Sequence, residues 1–133
     1  MTAVGTVLPP LQLQITPTVI IAAALASRDF ERVHHDRTFA QASGMQDIFL
    51  NILATNGFVV RYVTDWAGPA AVVKQSNIRL GVPHYAGETL ELTGTVEAVG
   101  DDGLMAIAVT GRNSLGNHVT GTVTVQSPDG GQQ

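Results

Sequence analysis

Four β-branched segments separated by turn signals fill the second half of this chain, and they constrain its fold more than any other feature. They cover residues 71–80, 89–99, 105–112 and 119–126. The stretches between them are rich in Gly, Asn and Asp, which are the residues that tight turns favour. The pattern predicts four long strands joined as antiparallel hairpins.

The first half of the chain predicts one short strand and two helices. Residues 11–15 alternate apolar and polar side chains, as a strand does, and Pro17 stands where a helix can begin. We therefore expect a helix over residues 18–27 and a longer, central helix over the apolar segment 45–64. Together these elements indicate an α+β fold in which one long antiparallel sheet curls around a central helix.

The length and composition fit one domain. The chain has 133 residues, of which 44% are hydrophobic and 14% charged, and this is ample for one packed core. We expect a single domain over residues 1–126. The Gly- and Gln-rich segment 127–133 has little to bury and is predicted to be a flexible tail.

Charge, cysteine content and hydropathy argue against several classes of function. The chain has no cysteine, so thiolate metal ligands are absent, and its four His are not spaced as a metal site. The net charge is −4 and the seven Lys and Arg are scattered, which argues against nucleic acid as a partner. The longest apolar run, residues 19–26, is too short to span a bilayer. We expect a cytoplasmic protein without membrane contact or a metal.

Residues 28–36 hold the strongest chemical signal, a carboxylate at Asp29 five residues before an imidazole at His34. Five steps along a helix or a strand point two side chains in different directions, so the pair converges only on a bent segment. Converged, the two groups can hold and polarise one water molecule. The alternative is structural, with Asp29 as a helix cap and His34 on the surface.

These residues resemble the D-x-N-P-x-H-x-D signature of MaoC-like hydratases and dehydratases, a family with the hotdog fold. Asp29, His34 and Asp36 stand in register with the signature, whereas Arg28 replaces its usual preceding glycine. Residues 78–90 resemble the family's strand followed by P-V-x-x-G-D-x-L. The resemblance covers about residues 10–126 and implies one hotdog domain.

Within this family the chain resembles the small subunits of heteromeric steroid enoyl-CoA hydratases in actinobacterial cholesterol side-chain breakdown. The residues that carry this resemblance are 28–36, 47–49, 61–69 and 111–113. It implies addition of water to the α,β-double bond of a steroid side-chain acyl-CoA, with no cofactor beyond the coenzyme A of the substrate. It also implies a partner, a second hotdog subunit that lacks the Asp/His pair, and an aldolase is a further candidate partner.

The resemblance gives the pair its catalytic roles. Asp29 would orient and deprotonate the water, and His34 would hold it and exchange a proton, with the division between them left open. His35 is the competing imidazole, but the spacing of the signature selects His34. Asp36 is expected to support the loop rather than to react.

A third requirement of the reaction is a site for the negative charge that grows on the thioester oxygen. Residues 43–46 have the form of a capping box, with Ser43 as the N-cap of the long helix. Gly44 and Met45 would then present free backbone amides to that oxygen. The alternative is a well-capped helix that binds no ligand.

Four further polar residues are weaker candidates. Asn51 lies inside the predicted central helix, where a buried amide needs partners, so we expect it to contact the Asp29 loop or a neighbouring subunit. His84 and Tyr85 lie in a predicted turn and are candidates for the mouth of an acyl pocket. His118 begins a strand and has no partner that the sequence reveals.

Three other functions remain open from the sequence. The first is a (3R)-hydroxyacyl thioester dehydratase acting on linear chains, and the second is a hotdog thioesterase that releases free thiol. The third is a non-catalytic hotdog subunit that serves as a scaffold for a partner enzyme. The presence of both Asp29 and His34 favours a catalytic subunit over the scaffold.

Overall fold

The computed structural model describes residues 2–128. The elements follow in the order β1 (Val7–Gln14), α1 (Pro17–Ala26), a 3-10 turn (Arg32–His34), α2 (Arg37–Ala42), α3 (Ile52–Ala67), β2 (Val72–Leu80), β3 (Thr89–Val99), β4 (Leu104–Asn113) and β5 (Gly116–Gln126). All four predicted strands of the second half are present, and β3 has the predicted bounds. The short first strand and the first helix are present as well, with the strand longer than predicted.

The strands form one antiparallel sheet in the order β1-β3-β4-β5-β2. In this order β1 and β2 are the two edge strands. Side chains alternate between buried and more exposed along much of β3 and β4, so one face of the central sheet is covered. The long helix α3 lies against that face. This is the predicted architecture, an antiparallel sheet around one helix.

One face of α3 is buried against the sheet. Its buried residues recur at helical spacing, at Thr55, Val59, Tyr62, Val63 and Ala67. The Tyr62 hydroxyl donates a hydrogen bond of 2.8 Å to the carbonyl of Pro9. This bond fixes the middle of the helix to the edge strand β1, so the amino end of α3 is held in a defined position.

The predicted start of the long helix is wrong. The helix begins at Ile52, whereas Ser43 is the C-cap of the short helix α2. Gly44 follows with a φ of +96°, a conformation that favours glycine, and its N–H donates to a carbonyl of α2, as does the N–H of Met45. The expectation that Gly44 and Met45 present free amides is therefore wrong, because both amides close α2.

The end of the domain is only partly described. Ser127 is buried and its N–H donates to the carbonyl of Gly103 at 3.0 Å, so this residue still packs with the sheet. Residues 129–133 of the predicted tail lie outside the described residues, and the tail stays a prediction. Across residues 2–128, no helix combines the length and the hydropathy that a bilayer crossing requires.

Candidate active site

A tight turn at the end of α1 directs Asp29 towards the protein. Ser27 is the C-cap of α1, and Arg28 follows in the left-handed conformation with a φ of +56°. The N–H groups of Arg28 and Asp29 donate to the carbonyls of Leu25 and Ala24, which is the hydrogen-bond pattern of a Schellman motif. Arg28 thus occupies a position that favours glycine, at a cost of about 1–2 kcal/mol.

His34 is held by the segment that precedes α3. The ring is buried, and its Nδ1 lies 2.8 Å from the carbonyl oxygen of Phe49. Because a carbonyl oxygen only accepts, this contact assigns the proton of the neutral ring to Nδ1. The Phe49 ring packs edge-on against the imidazole at 4.9 Å between centroids. The Nε2 atom is left with a lone pair.

That lone pair faces Asp29. The distance from His34 Nε2 to Asp29 Oδ2 is 3.4 Å, longer than the usual 2.7–3.2 Å of a direct N–H···O hydrogen bond. Both atoms can therefore contact one shared water molecule. His35, in contrast, is exposed. The structure thus brings together the two side chains that the sequence singled out, on a bend as predicted, while their catalytic roles stay predictions.

Asp36 has the supporting position expected for it. Its carboxylate accepts the N–H of Phe39 at 3.1 Å, which caps α2, and it pairs with Arg32 at 3.2 Å. The Phe39 N–H and, after it, the Arg32 guanidinium hold the pKa of this carboxyl below its ordinary value. Asp36 therefore fixes the start of α2, next to the turn that carries His34.

Asn51 contacts the loop of Asp29, as expected, but it stands at the N-cap of α3 rather than inside the helix. Its Nδ2 donates to Asp29 Oδ2 at 3.1 Å and to Ser27 Oγ at 2.9 Å. Its Oδ1 accepts the N–H of Ala54 at 3.3 Å. One buried amide therefore joins the turn after α1 to the first turn of α3.

An open cleft of about 390 Å³ lies over these residues. Asp29 and His34 line it together with the start of α3 and residues 80–83, which comprise the end of β2 and the three residues after it. Its apolar walls come from Met45, Phe49, Leu50, Ile52, Leu80 and Val82. The cleft can therefore hold a hydrocarbon group with the Asp/His pair at its side. Met45 contributes to this wall, whereas Gly44 does not line the cleft.

The amino end of α3 opens onto the same cleft. Ile52 lines the cleft and is the first residue of the helix. The N–H groups of Ile52 and Leu53 meet no hydrogen-bond acceptor within residues 2–128, as is usual in the first turn of a helix. These donors and the partial positive charge of the helix end suit an oxygen that becomes negative.

Neither His84 nor Tyr85 lines the cleft. The prediction for His84 is wrong because its ring is turned into the core, whereas the prediction for Tyr85 stays a prediction. His84 is fully buried, its Nε2 donates to the carbonyl of Glu88 at 3.1 Å, and its Nδ1 accepts from Asn113 Nδ2 at 3.0 Å. Tyr85 packs edge-on against Phe49, with 6.5 Å between the ring centroids. The turn folds inward because its polar groups find partners there.

His118 has two partners that the sequence did not reveal. Its Nδ1 donates to the carbonyl of Val82 at 2.7 Å, and its Nε2 accepts from the Thr55 hydroxyl at 2.8 Å. The ring lines the cleft and fixes the wall that Val82 belongs to. Both partners are far away along the chain, so no local pattern could have indicated them.

Because His84 and His118 are both buried, the stability of the fold should depend on pH. Their rings lie 5.4 Å apart, and burial is the main reason that the pKa of each is held below 6.5. The folded protein therefore keeps both rings neutral at a pH where the unfolded chain binds protons. We expect the melting temperature to fall as the pH is lowered from about 7.5 to about 5.5, since the unfolded state then binds more protons.

This decrease can be separated from the titration of carboxylates. The pKa values of the Asp36 and Glu88 carboxyls are held below their ordinary values of 3.8 and 4.5, so protonation of these two carboxyls affects stability only at lower pH. The melting temperature of His84→Asn should depend less on pH than that of the wild type. His35→Asn changes an exposed histidine, and its melting temperature should follow the wild-type pH dependence. A melting temperature that stays constant over this pH range would contradict the prediction.

The part of the chain that the structure describes contains no group of three or more His, Cys, Asp or Glu side chains that could hold a metal ion. The polar groups of the Asp/His site contact one another and the backbone. Asp29 meets Asn51 and His34, and the other nitrogen of His34 meets a backbone carbonyl. These contacts suit hydrogen bonding to a water molecule and proton transfer.

Comparison with known proteins assigns this arrangement to a family. Residues 2–125 match the sequence model of the MaoC like domain. The chain is 56% identical, over 129 residues, to the 3-oxo-4,17-pregnadiene-20-carboxyl-CoA hydratase beta subunit of Mycobacterium tuberculosis (strain ATCC 25618 / H37Rv). The match covers 97% of this chain and 99% of that protein.

Solved structures agree. The fold is similar to a chain in the crystal structure of the ChsH1-ChsH2 complex from M. tuberculosis, with a TM-score of 0.93 and 56% identity, covering 96% of this chain and 99% of that one. It is also similar to the (R)-hydratase from A. caviae involved in PHA biosynthesis, with a TM-score of 0.85, covering 96% and 98%. At 20% identity, this second similarity shows the fold alone.

Proposed function

This chain belongs to the MaoC-like domain family, and from that membership we propose that it is the catalytic subunit of an enoyl-CoA hydratase, a hydro-lyase, acting on a steroid side-chain acyl-CoA. The observation that carries the proposal is the 56% identity, over almost the whole of both chains, to a subunit named as a steroid carboxyl-CoA hydratase. The facing Asp29 and His34 side chains in an apolar cleft support the same reaction.

The proposed reaction adds one water molecule across the double bond conjugated to the thioester. The water oxygen forms a bond to the β-carbon while Asp29 or His34 Nε2 takes a proton from it. The electron pair of the double bond moves towards the thioester oxygen, and the Asp/His pair then delivers a proton to the α-carbon, which returns the pair to its starting protonation state. Atoms and charges balance with water alone, so the reaction needs no cofactor besides the coenzyme A that the substrate carries.

The negative thioester oxygen is assigned to the amino end of α3, in place of Gly44 and Met45. The N–H of Ile52 is a free donor among the described residues, and Ile52 lines the same cleft as the Asp/His pair. Donors fixed where charge develops are the main source of rate enhancement in such reactions. A thioester carbonyl at this helix end would hold its double bond beside Asp29 and His34.

We propose that the partner subunit packs against the exposed edge strand β2. The other edge strand, β1, contains Pro9 and Pro10, which lack an N–H that could pair with a neighbouring strand. In contrast, β2 contains no proline and exposes Val72 and Val73. An exposed edge strand with apolar side chains is a surface for strand pairing.

This position of the partner would also complete the substrate site. The end of β2 and the residues after it form one wall of the cleft, so a subunit on β2 would extend that wall for a bulky acyl group. The proposed partner is a second hotdog subunit without the Asp/His pair. Support comes from the relatives, since one is named as a beta subunit and the other is a chain of a two-protein complex. An aldolase remains a further candidate partner.

The proposed interface predicts different effects of one substitution on the two edges. Val73→Glu places a charge on β2 and should abolish co-purification with the partner, because a buried charge without a partner is costly. Val7→Glu makes the same change at an exposed position of β1 and should leave the complex intact. Affinity purification followed by mass spectrometry measures both. Loss of the complex in the Val7 variant alone would contradict the assignment to β2.

The reaction itself is tested with the purified complex and an unsaturated steroid side-chain acyl-CoA. The proposal predicts a product that is heavier by one water molecule, with no free thiol detected by a thiol reagent. Release of thiol would indicate a thioesterase instead. Hydration of linear enoyl-CoA with no turnover of the steroid substrate would favour the linear-chain dehydratase, and inactivity of the complex on all of these thioesters would favour the scaffold.

A further inference from the structure

We propose that Asn51 is a positioning residue for this reaction, because it holds the Asp29 carboxylate at a fixed position relative to the amino end of α3. The inference rests on the proposed function and goes beyond it in one respect. It makes one buried amide responsible for the relative position of two groups, the carboxylate that holds the water and the helix end that receives the thioester oxygen.

The first argument is that Asn51 is fixed in one orientation. The side chain is 1% exposed, and all of its polar groups have partners. The two N–H bonds of Nδ2 point to Asp29 Oδ2 and Ser27 Oγ, while Oδ1 accepts the N–H of Ala54. A flipped amide would place its oxygen against the Asp29 carboxylate and its N–H bonds against the N–H of Ala54. Both contacts would be repulsive, so the flip is disfavoured.

The second argument concerns what holds Asp29. Its Oδ1 accepts the backbone N–H of Glu31 at 3.3 Å, and its Oδ2 accepts from Asn51 at 3.1 Å. His34 Nε2 faces the same Oδ2 but carries no proton in the neutral ring, so it donates nothing. Within residues 2–128, Asn51 is then the side-chain donor that orients the carboxylate. Without it, this partly exposed group could rotate towards solvent.

The third argument is that capping alone does not require asparagine. Ser and Asp cap a helix about as well as Asn, because each offers a side-chain oxygen to the first turn. Neither can also donate two hydrogen bonds to the loop of Asp29. Asparagine combines the acceptor that caps α3 with the donors that hold Asp29, and it therefore couples the two halves of the site.

The test separates capping from positioning in the complex with the partner subunit. Asn51→Ser and Asn51→Thr both keep a hydroxyl cap for α3 but lose the amide donor to Asp29, and neither adds a charge beside its carboxylate. We expect either variant to lower kcat about 10–100-fold, since a misplacement of about 1 Å can cost this much, with KM changed less than about threefold. Asn56→Ser is the matched control, because Asn56 lies on α3 and bonds to Ser76 instead.

The outcomes distinguish the inference from the proposed function. If Asn51→Ser and Asn51→Thr keep the wild-type kcat, or only raise KM, Asn51 does not position the carboxylate. The melting temperature of each variant identifies a loss that is due to unfolding, and Asn51→Thr, which keeps a hydroxyl cap and adds no charge beside Asp29, decides the case if Asn51→Ser is unstable. If Asp29→Asn itself keeps its turnover, the proposed role of Asp29 is wrong; if the wild-type complex does not hydrate the steroid substrate, the proposed function is wrong, whatever the Asn51 variants show.

Discussion

Replacing Asp29 with asparagine in the assembled complex is expected to lower kcat for hydration by about 10²–10⁴-fold, the usual contribution of a general base. The substitution keeps the size of the side chain and removes its negative charge. The amide that replaces the carboxylate cannot take a proton from water at neutral pH. Because the turn after α1 is built from backbone hydrogen bonds, the fold should survive the change. The measurement is steady-state turnover of the steroid enoyl-CoA.

A matched control for this variant is Asp47→Asn. The Asp47 side chain is 28% exposed against 23% for Asp29, and it faces Arg37 outside the cleft. We expect its kcat to stay within about twofold of wild type, because it takes no part in proton transfer. An Asp29→Asn complex that keeps more than about a tenth of the wild-type turnover would remove Asp29 from the proposed role.

The sequence predicted those features that depend on neighbouring residues. β-Branched residues and turn residues located β3 at its observed bounds, because each strand carries its own pattern. The spacing of Asp29 and His34 indicated a bend, and the turn after α1 together with the 3-10 turn provides it. Such signals are local, and tertiary contacts strengthened them rather than opposed them.

The start of the long helix was predicted wrongly because residues 43–46 fit two patterns, one that begins a helix and one that ends a helix. Ser43 and Gln46 match a capping box, yet Gly44 also matches the glycine that ends a helix. The structure shows the second pattern, with Gly44 at positive φ. The sequence therefore placed the free amides one short segment too early, at Gly44 instead of at Ile52.

Long-range polar contacts were also beyond the sequence. His84 reaches Asn113, and His118 reaches Thr55, through a sheet topology that brings distant segments together. Nothing near either histidine distinguishes a buried ring from a solvated one. Asn51 shows the intermediate case, since its need for a partner was predictable but its dual contact with Asp29 and α3 was not.

His34 gives the second large prediction, and its hydrogen bond to Phe49 suggests the variant to use. His34→Asn can keep an N–H near the position of Nδ1, and so keep the bond to the carbonyl of Phe49, while it removes Nε2. We expect kcat to fall about 10²–10⁴-fold, because the atom that exchanges a proton with the water is gone. Turnover and melting temperature of the complex are the measurements.

His34→Ala provides the comparison that separates chemistry from stability. It removes both ring nitrogens and leaves the Phe49 carbonyl without its partner, which should cost about 1–3 kcal/mol of stability. If the Nε2 atom is what the reaction needs, the two variants should lose kcat equally while only His34→Ala melts early. A His34→Asn complex that hydrates at the wild-type rate would instead leave Asp29 as the sole base, and the water would then be held without the imidazole.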